Sequence, residues 1–181
     1  MKNAILKFWA LLAMCASSFA LVSCNEDGGK DDVISADNTV TNVSIAYSIN
    51  LADTYYKYFD IKVDYLREDG EITSMCVTEN WDYSFSANYE ATPENIIFKV
   101  VATPKAELPT IEEDANYNCT AKVYVIQTGY TKEGVENENF GYSGSYKANG
   151  YKSYNDWTKY TSKEHILLNY NHPKGPANPV E

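Results

Sequence analysis

From residue 40 to residue 128, apolar and polar side chains alternate with a period of two, the mark of strands buried on one face. Val43, Ile45, Tyr47, Ile49 and Leu51 send five side chains to one side. Phe59, Ile61, Val63 and Tyr65 repeat the pattern and run into Arg67-Glu68-Asp69-Gly70-Glu71. Asp-Gly between two alternating runs predicts a hairpin whose second strand covers 71–78. Trp81, Tyr83, Phe85, Ala87 and Tyr89 make a further, strongly aromatic run, and Ala91 to Asn95 holds a proline turn. Ile96 to Thr103 is nearly continuous apolar and β-branched, which predicts a central strand covered on both faces.

Pro104 ends that strand, and residues 104–116, with Pro109 and Glu112-Glu113-Asp114, predict a long connection from one sheet to the other. Tyr117 to Thr128 is the next strand. Beyond Gly129 the chain turns rich in Gly, Asn, Tyr and Glu, with a strand around Tyr142 to Ala148 and a closing strand at Ile166-Leu167-Leu168. Ser153-Tyr154-Asn155-Asp156 has the Ser-x-x-acid spacing of a capping box and predicts a short helix over 154–160, with Trp157 facing inward. Pro173, Pro176 and Pro179 predict an extended tail over 171–181. The fold expected for 40–170 is therefore all-β: an antiparallel two-sheet, Ig-like Greek-key β-sandwich of about 7–8 strands, with at most one short helix near 154–160.

The N-terminal segment follows other rules. Lys2 and Lys7 precede an apolar run from Phe8 to Leu21 that is broken by Ser17 and Ser18 and ends in Leu21-Val22-Ser23-Cys24. That run is about 14 residues long, short of the roughly 20 needed to span a bilayer. Basic start, apolar stretch and small residues before a cysteine resemble a bacterial lipoprotein signal. The resemblance implies a signal peptide over 1–23 and a lipid anchor on Cys24, which would hold the protein at a membrane. Residues 24–39 read as a flexible acidic tether, because Asn25 to Asp32 has no large apolar group to bury. An acidic cluster just behind the lipidated cysteine resembles the export signal of Bacteroidota surface lipoproteins. It implies display on the outer membrane surface, with a periplasm-facing anchor as the alternative.

The chain carries a net charge of −10, and removal of Lys2 and Lys7 with the signal takes it to −12. With its lysines scattered among carboxylates it offers no basic stripe for phosphate, so nucleic acid is excluded as a partner. The 158 residues after the signal suffice for one domain with its own core. Of four cysteines, Cys15 leaves with the signal and Cys24 is the acylation site, which leaves Cys76 and Cys119. Two readings stand: a disulfide in an oxidising compartment, or two free thiols, Cys119 sharing the buried face of Ala121, Val123 and Val125.

No catalytic constellation emerges. Gly141-Tyr142-Ser143-Gly144-Ser145 misses the nucleophile-elbow pattern at its fifth position and lacks the strand-to-helix setting. His165 and His172 are the only histidines and have no zinc spacing, and the acidic loop of Glu133, Glu136 and Glu138 lacks the order of a calcium-binding hand. Neither a metal nor a cofactor is expected. The aromatic residues are the better candidates, since a ring flanked by amides and carboxylates stacks a sugar and hydrogen-bonds its rim. Trp157 with Tyr151, Tyr154, Tyr160, Asn155 and Asp156 fits that description; the competing reading gives these rings to the core.

The stretch from Asn42 to Lys99 resembles small β-sandwich lipoproteins of Bacteroidota. The resemblance rests on the alternation from Val43 to Ser48, the tyrosine-rich crossover from Asp53 to Phe59, Ile61-Lys62-Val63-Asp64-Tyr65, the Glu68-Asp69-Gly70 turn, and Trp81 opening the strand toward Phe85. It implies a compact sandwich on the outer membrane, with no catalytic residues to carry over. The function expected is that of a noncatalytic surface binding module for a glycan or another envelope component. A structural or adhesive module of an envelope protein complex is the rival, and a small hydrolase comes third.

Overall fold

A computed structural model describes residues 38–178; the signal, Cys24 and most of the tether lie outside the described residues. Eight strands form two four-stranded antiparallel sheets. The first has the order β4 (Trp81–Asn88), β1 (Val40–Leu51), β7 (Ala121–Thr131) and β8 (Ser143–Ala148). The second has β10 (His165–Pro173), β5 (Asn95–Pro104), β2 (Phe59–Leu66) and β3 (Ile72–Val77). A two-stranded ribbon, β6 (Tyr117–Asn118) with β9 (Tyr151–Lys152), stands apart. The chain is an all-β antiparallel sandwich. The β2–β3 hairpin turns at Gly70, whose φ of 81° is the conformation glycine adopts at least cost, and β4 then returns beside β1.

The alternating apolar positions meet in one core. Val43, Ile45, Tyr47 and Ile49 of β1 and Phe85 of β4 face Ile61, Val63, Phe98 and Val100 of the second sheet, all buried. Tyr47 sits at the centre, its ring 4.8 Å from that of Phe98 and 5.9 Å from that of Tyr65. Its hydroxyl donates to the Leu66 carbonyl at 3.1 Å, which satisfies the one polar atom the ring carries inward.

Four expectations need correction. Residues 53–58 form a helix, α1 (Asp53–Tyr58), rather than an irregular crossover, so the molecule has a second short helix besides α2 (Tyr154–Tyr160). It places Tyr55 and Tyr58, three residues apart, on the buried side, with Asp53 in the first turn and Lys57 in the last. The strand expected over 117–128 breaks at Cys119-Thr120, where the Asn118 side chain accepts from the Thr120 amide at 2.9 Å. β5 is central but covered on one face, since Ile97 and Lys99 remain half-exposed outside. The tail is not free from 171: β10 runs to Pro173, and Ala177 accepts from the Val40 amide at 2.7 Å. Lys174 tightens that closure, donating to the Tyr89 and Thr92 carbonyls at 3.0 and 2.9 Å with its ammonium 4.3 Å from the centre of the Tyr89 ring.

The outer faces of the two sheets differ. In register across the first sheet, Ser44 lies between Ser86 and Thr128, Ala46 between Ser84 and Ile126, and Ser48 between Asp82 and Tyr124. On the second, Lys62 and Asp64 of β2 lie beside Val101 and Lys99 of β5. Lys62 and Asp64 pair at 3.4 Å, and Ser74 of β3 donates to the same carboxylate.

Candidate functional site

The end of the sandwich that carries α1 and α2 is built on aromatic rings. Ser153 caps α2, accepting from the Asp156 amide at 3.4 Å and donating to its carboxylate at 3.0 Å, so the helix starts at the cap the sequence predicts. The cap sets the helix so that Trp157 points into the core with 0% exposure. Its ring stacks on Tyr117 at 5.3 Å and 4° and on Tyr160 at 5.5 Å, and meets Tyr58 edge-on at 5.5 Å. The indole Nε1 is buried with no hydrogen-bond partner among the described residues.

The six residues singled out as a sugar platform therefore divide. Trp157 is core and offers no face to a ligand. Tyr160 is half-buried, its ring 3.7 Å from that of His165 and its hydroxyl 3.2 Å from that of Tyr55; burial pushes the Tyr160 hydroxyl up to about 12. Tyr151, 70% exposed, and Tyr154, Asn155 and Asp156 lie at the surface of β9 and α2, where the buried Trp157 does not join them. Cys76 and Cys119 are both free thiols. Cys76 points outward from the edge strand β3, whereas Cys119 is buried, its Sγ donating to the Gly150 carbonyl at 3.2 Å, so the pair does not meet.

A cleft of about 400 Å³ opens at the same end, lined by Asp53, Tyr56, Thr78, Glu79 and Asn80. Sheet register creates it. Because Ile49 of β1 pairs with Trp81 of β4, the chain leaving β1 into α1 meets the chain entering β4 from the β3–β4 turn. Asn80 fixes the meeting point: its Oδ1 accepts from the Leu51 amide at 2.9 Å and from the Tyr56 hydroxyl at 3.0 Å. Burial pushes the Tyr56 hydroxyl up to about 12; the Leu51 backbone opposes the shift, and the Asp53 and Glu79 carboxylates add to it. Tyr56 thus stays protonated, its proton held by Asn80, and the Asp53 and Glu79 carboxylates and the Thr78 hydroxyl line the cleft with it. The set suits a ligand that presents several hydroxyls. Among the described residues no three His, Cys, Asp or Glu side chains converge as metal ligands would.

Sequence reasoning missed this cleft because its halves, 53–56 and 78–80, are separated by two strands and meet only through the β1–β4 pairing. No protein-family model, curated protein or solved structure matches the chain.

Proposed function

We propose that the protein is a noncatalytic, lipid-anchored module of the bacterial outer membrane surface that binds a glycan or a similar polyhydroxylated surface component in the cleft around Tyr56. The observation that carries this reading is the polarity of the domain. Val40 and Ala177 are bonded at one pole, and the cleft lies past the other end of β1, 11 residue steps or ~36 Å away. A chain held through Cys24 would enter the domain at the Val40 pole, the one farther from the cleft.

Isothermal titration of the detergent-purified protein against a polysaccharide panel tests the binding. Heat with at least one glycan, lost in Asn80→Ala, is expected; silence across the panel defeats the reading. Detergent-phase partitioning that disappears in Cys24→Ala is expected for the anchor. An assembly role by strand addition is the second reading, favoured by β3. This edge strand, Ile72 to Val77, contains no charged residue to discourage a partner strand, and Ile72 is 56% exposed.

A further inference from the structure

The outer face of the first sheet carries what the cleft leaves unused. In a chain of which 22% is charged, its strand positions show charge only at Asp82, Lys122 and Lys147. All three lie in the two rows nearest the cleft, beside Ser48 and Asn50. The remaining rows hold serine, threonine, alanine and asparagine around Ile126 of β7, 43% exposed, while Tyr124 stands in the Ser48 row with the Lys122 ammonium 5.2 Å from its ring centre. The face runs into the cleft without a break in the chain: Asn50 precedes Leu51, whose amide is held by Asn80, and Asp82 follows two residues after Asn80.

We propose, resting on the glycan reading of the cleft, that the ligand is an uncharged linear polysaccharide. It extends from the cleft along this face, with sugar rings on Tyr124 and Ile126 and their hydroxyls against the serines. Two arguments favour that occupant. Burying an ionised group without a partner costs several kcal/mol, so the rows beyond Ser48, which carry no charge, match a neutral partner. A protein interface concentrates apolar side chains at its centre, whereas here hydroxyls and amides surround a short apolar line, the arrangement that serves a partner apolar on its ring faces and polar at its edges.

The test is affinity electrophoresis of the full-length protein in detergent through gels containing dextran, mannan or galactomannan, and in parallel polygalacturonate or chondroitin sulfate. Retardation by at least one neutral polymer and by neither acidic one is expected. Tyr124→Ala and Ile126→Asp, both outside the core, should each weaken it roughly tenfold with an unchanged melting temperature. Preference for an acidic polymer overturns the proposal, as does retardation that Ile126→Asp leaves intact. If Asn80→Ala then abolishes binding while Ile126→Asp does not, the cleft reading stands and the extension over the sheet fails. Silence with every polymer removes both. A dimer in sedimentation that Ile126→Asp dissociates assigns the face to a second copy and overturns the proposal.

Discussion

On the second sheet, Lys62 pairs with Asp64, Ser74 donates to the same carboxylate, and Lys99 stands beside it in register. On the first sheet the comparable positions are Ser44, Ala46, Ser84 and Ser86, with no charge among them. Behind both faces the packing is the same: Ile45 and Tyr47 on one side meet Val63 and Phe98 on the other. Burial thus accounts for the inner faces, and it accounts for nothing in the difference outside. The second sheet balances its charges within itself and keeps water around them. The first sheet carries small hydroxyl side chains in place of charges, and that of Ser44 donates to the Phe85 carbonyl at 3.4 Å.

The largest test of this contrast asks whether the inner faces are equivalent. Phe98→Ala in the second sheet and Trp157→Ala at the aromatic end should each cost about 3–5 kcal/mol, and Ile45→Ala in the first sheet about 2–5 kcal/mol, read from denaturant midpoints. A Trp157→Ala protein with wild-type stability would return that ring to the surface. Placing a charge in the uncharged rows of the first sheet comes next. Ile126→Asp should change stability by no more than about 0.5 kcal/mol, and its only measurable effect should be on binding.

The pH response of the second sheet is smaller. The Ser74 hydroxyl, opposed by burial and helped by Lys62, holds the Asp64 carboxyl below the ordinary carboxylate range. A carboxyl lowered in the folded state contributes stability above its unfolded value, and that contribution disappears as pH falls through the folded one. Wild type should therefore exceed Ser74→Ala by less than about 1 kcal/mol at pH 7, and the gap should close below about pH 4. Least disturbing is a thiol count. Aqueous maleimide should label Cys76 in the native protein and Cys119 only after unfolding, as peptide masses will show; equal labelling would mean that Cys119 is not buried.

Much of this architecture was readable from local spacing. The period of two gave away the inner faces of β1, β2 and β4, Asp69-Gly70 marked the hairpin, and Ser153 with Asp156 marked the start of α2. Each signal lies within a few residues of what it specifies. The helix α1 left no such trace: six residues, three of them tyrosine, have little helical preference, and burial of Tyr55 and Tyr58 holds the turn together. Trp157 was visible as an aromatic residue, but its burial depends on Tyr117 and Tyr58, which reach it only once the strands are assembled. For the same reason neither the cleft nor the uncharged rows of the first sheet could be read. Ser44, Ala46 and Ser48 look like ordinary outward positions until β4 and β7 are set on either side of β1.

The closure of the two chain ends has a mechanical consequence. Tension drawn between the segment before Val40 and anything held at the far pole runs parallel to β1. That strand is hydrogen-bonded on both sides, to β4 and to β7, over most of its length. Such a pull shears the two ladders as a whole instead of peeling them one rung at a time. The first links to give way would be Val40 to Ala177 and Thr39 to Asn178, leaving the sheet intact behind them.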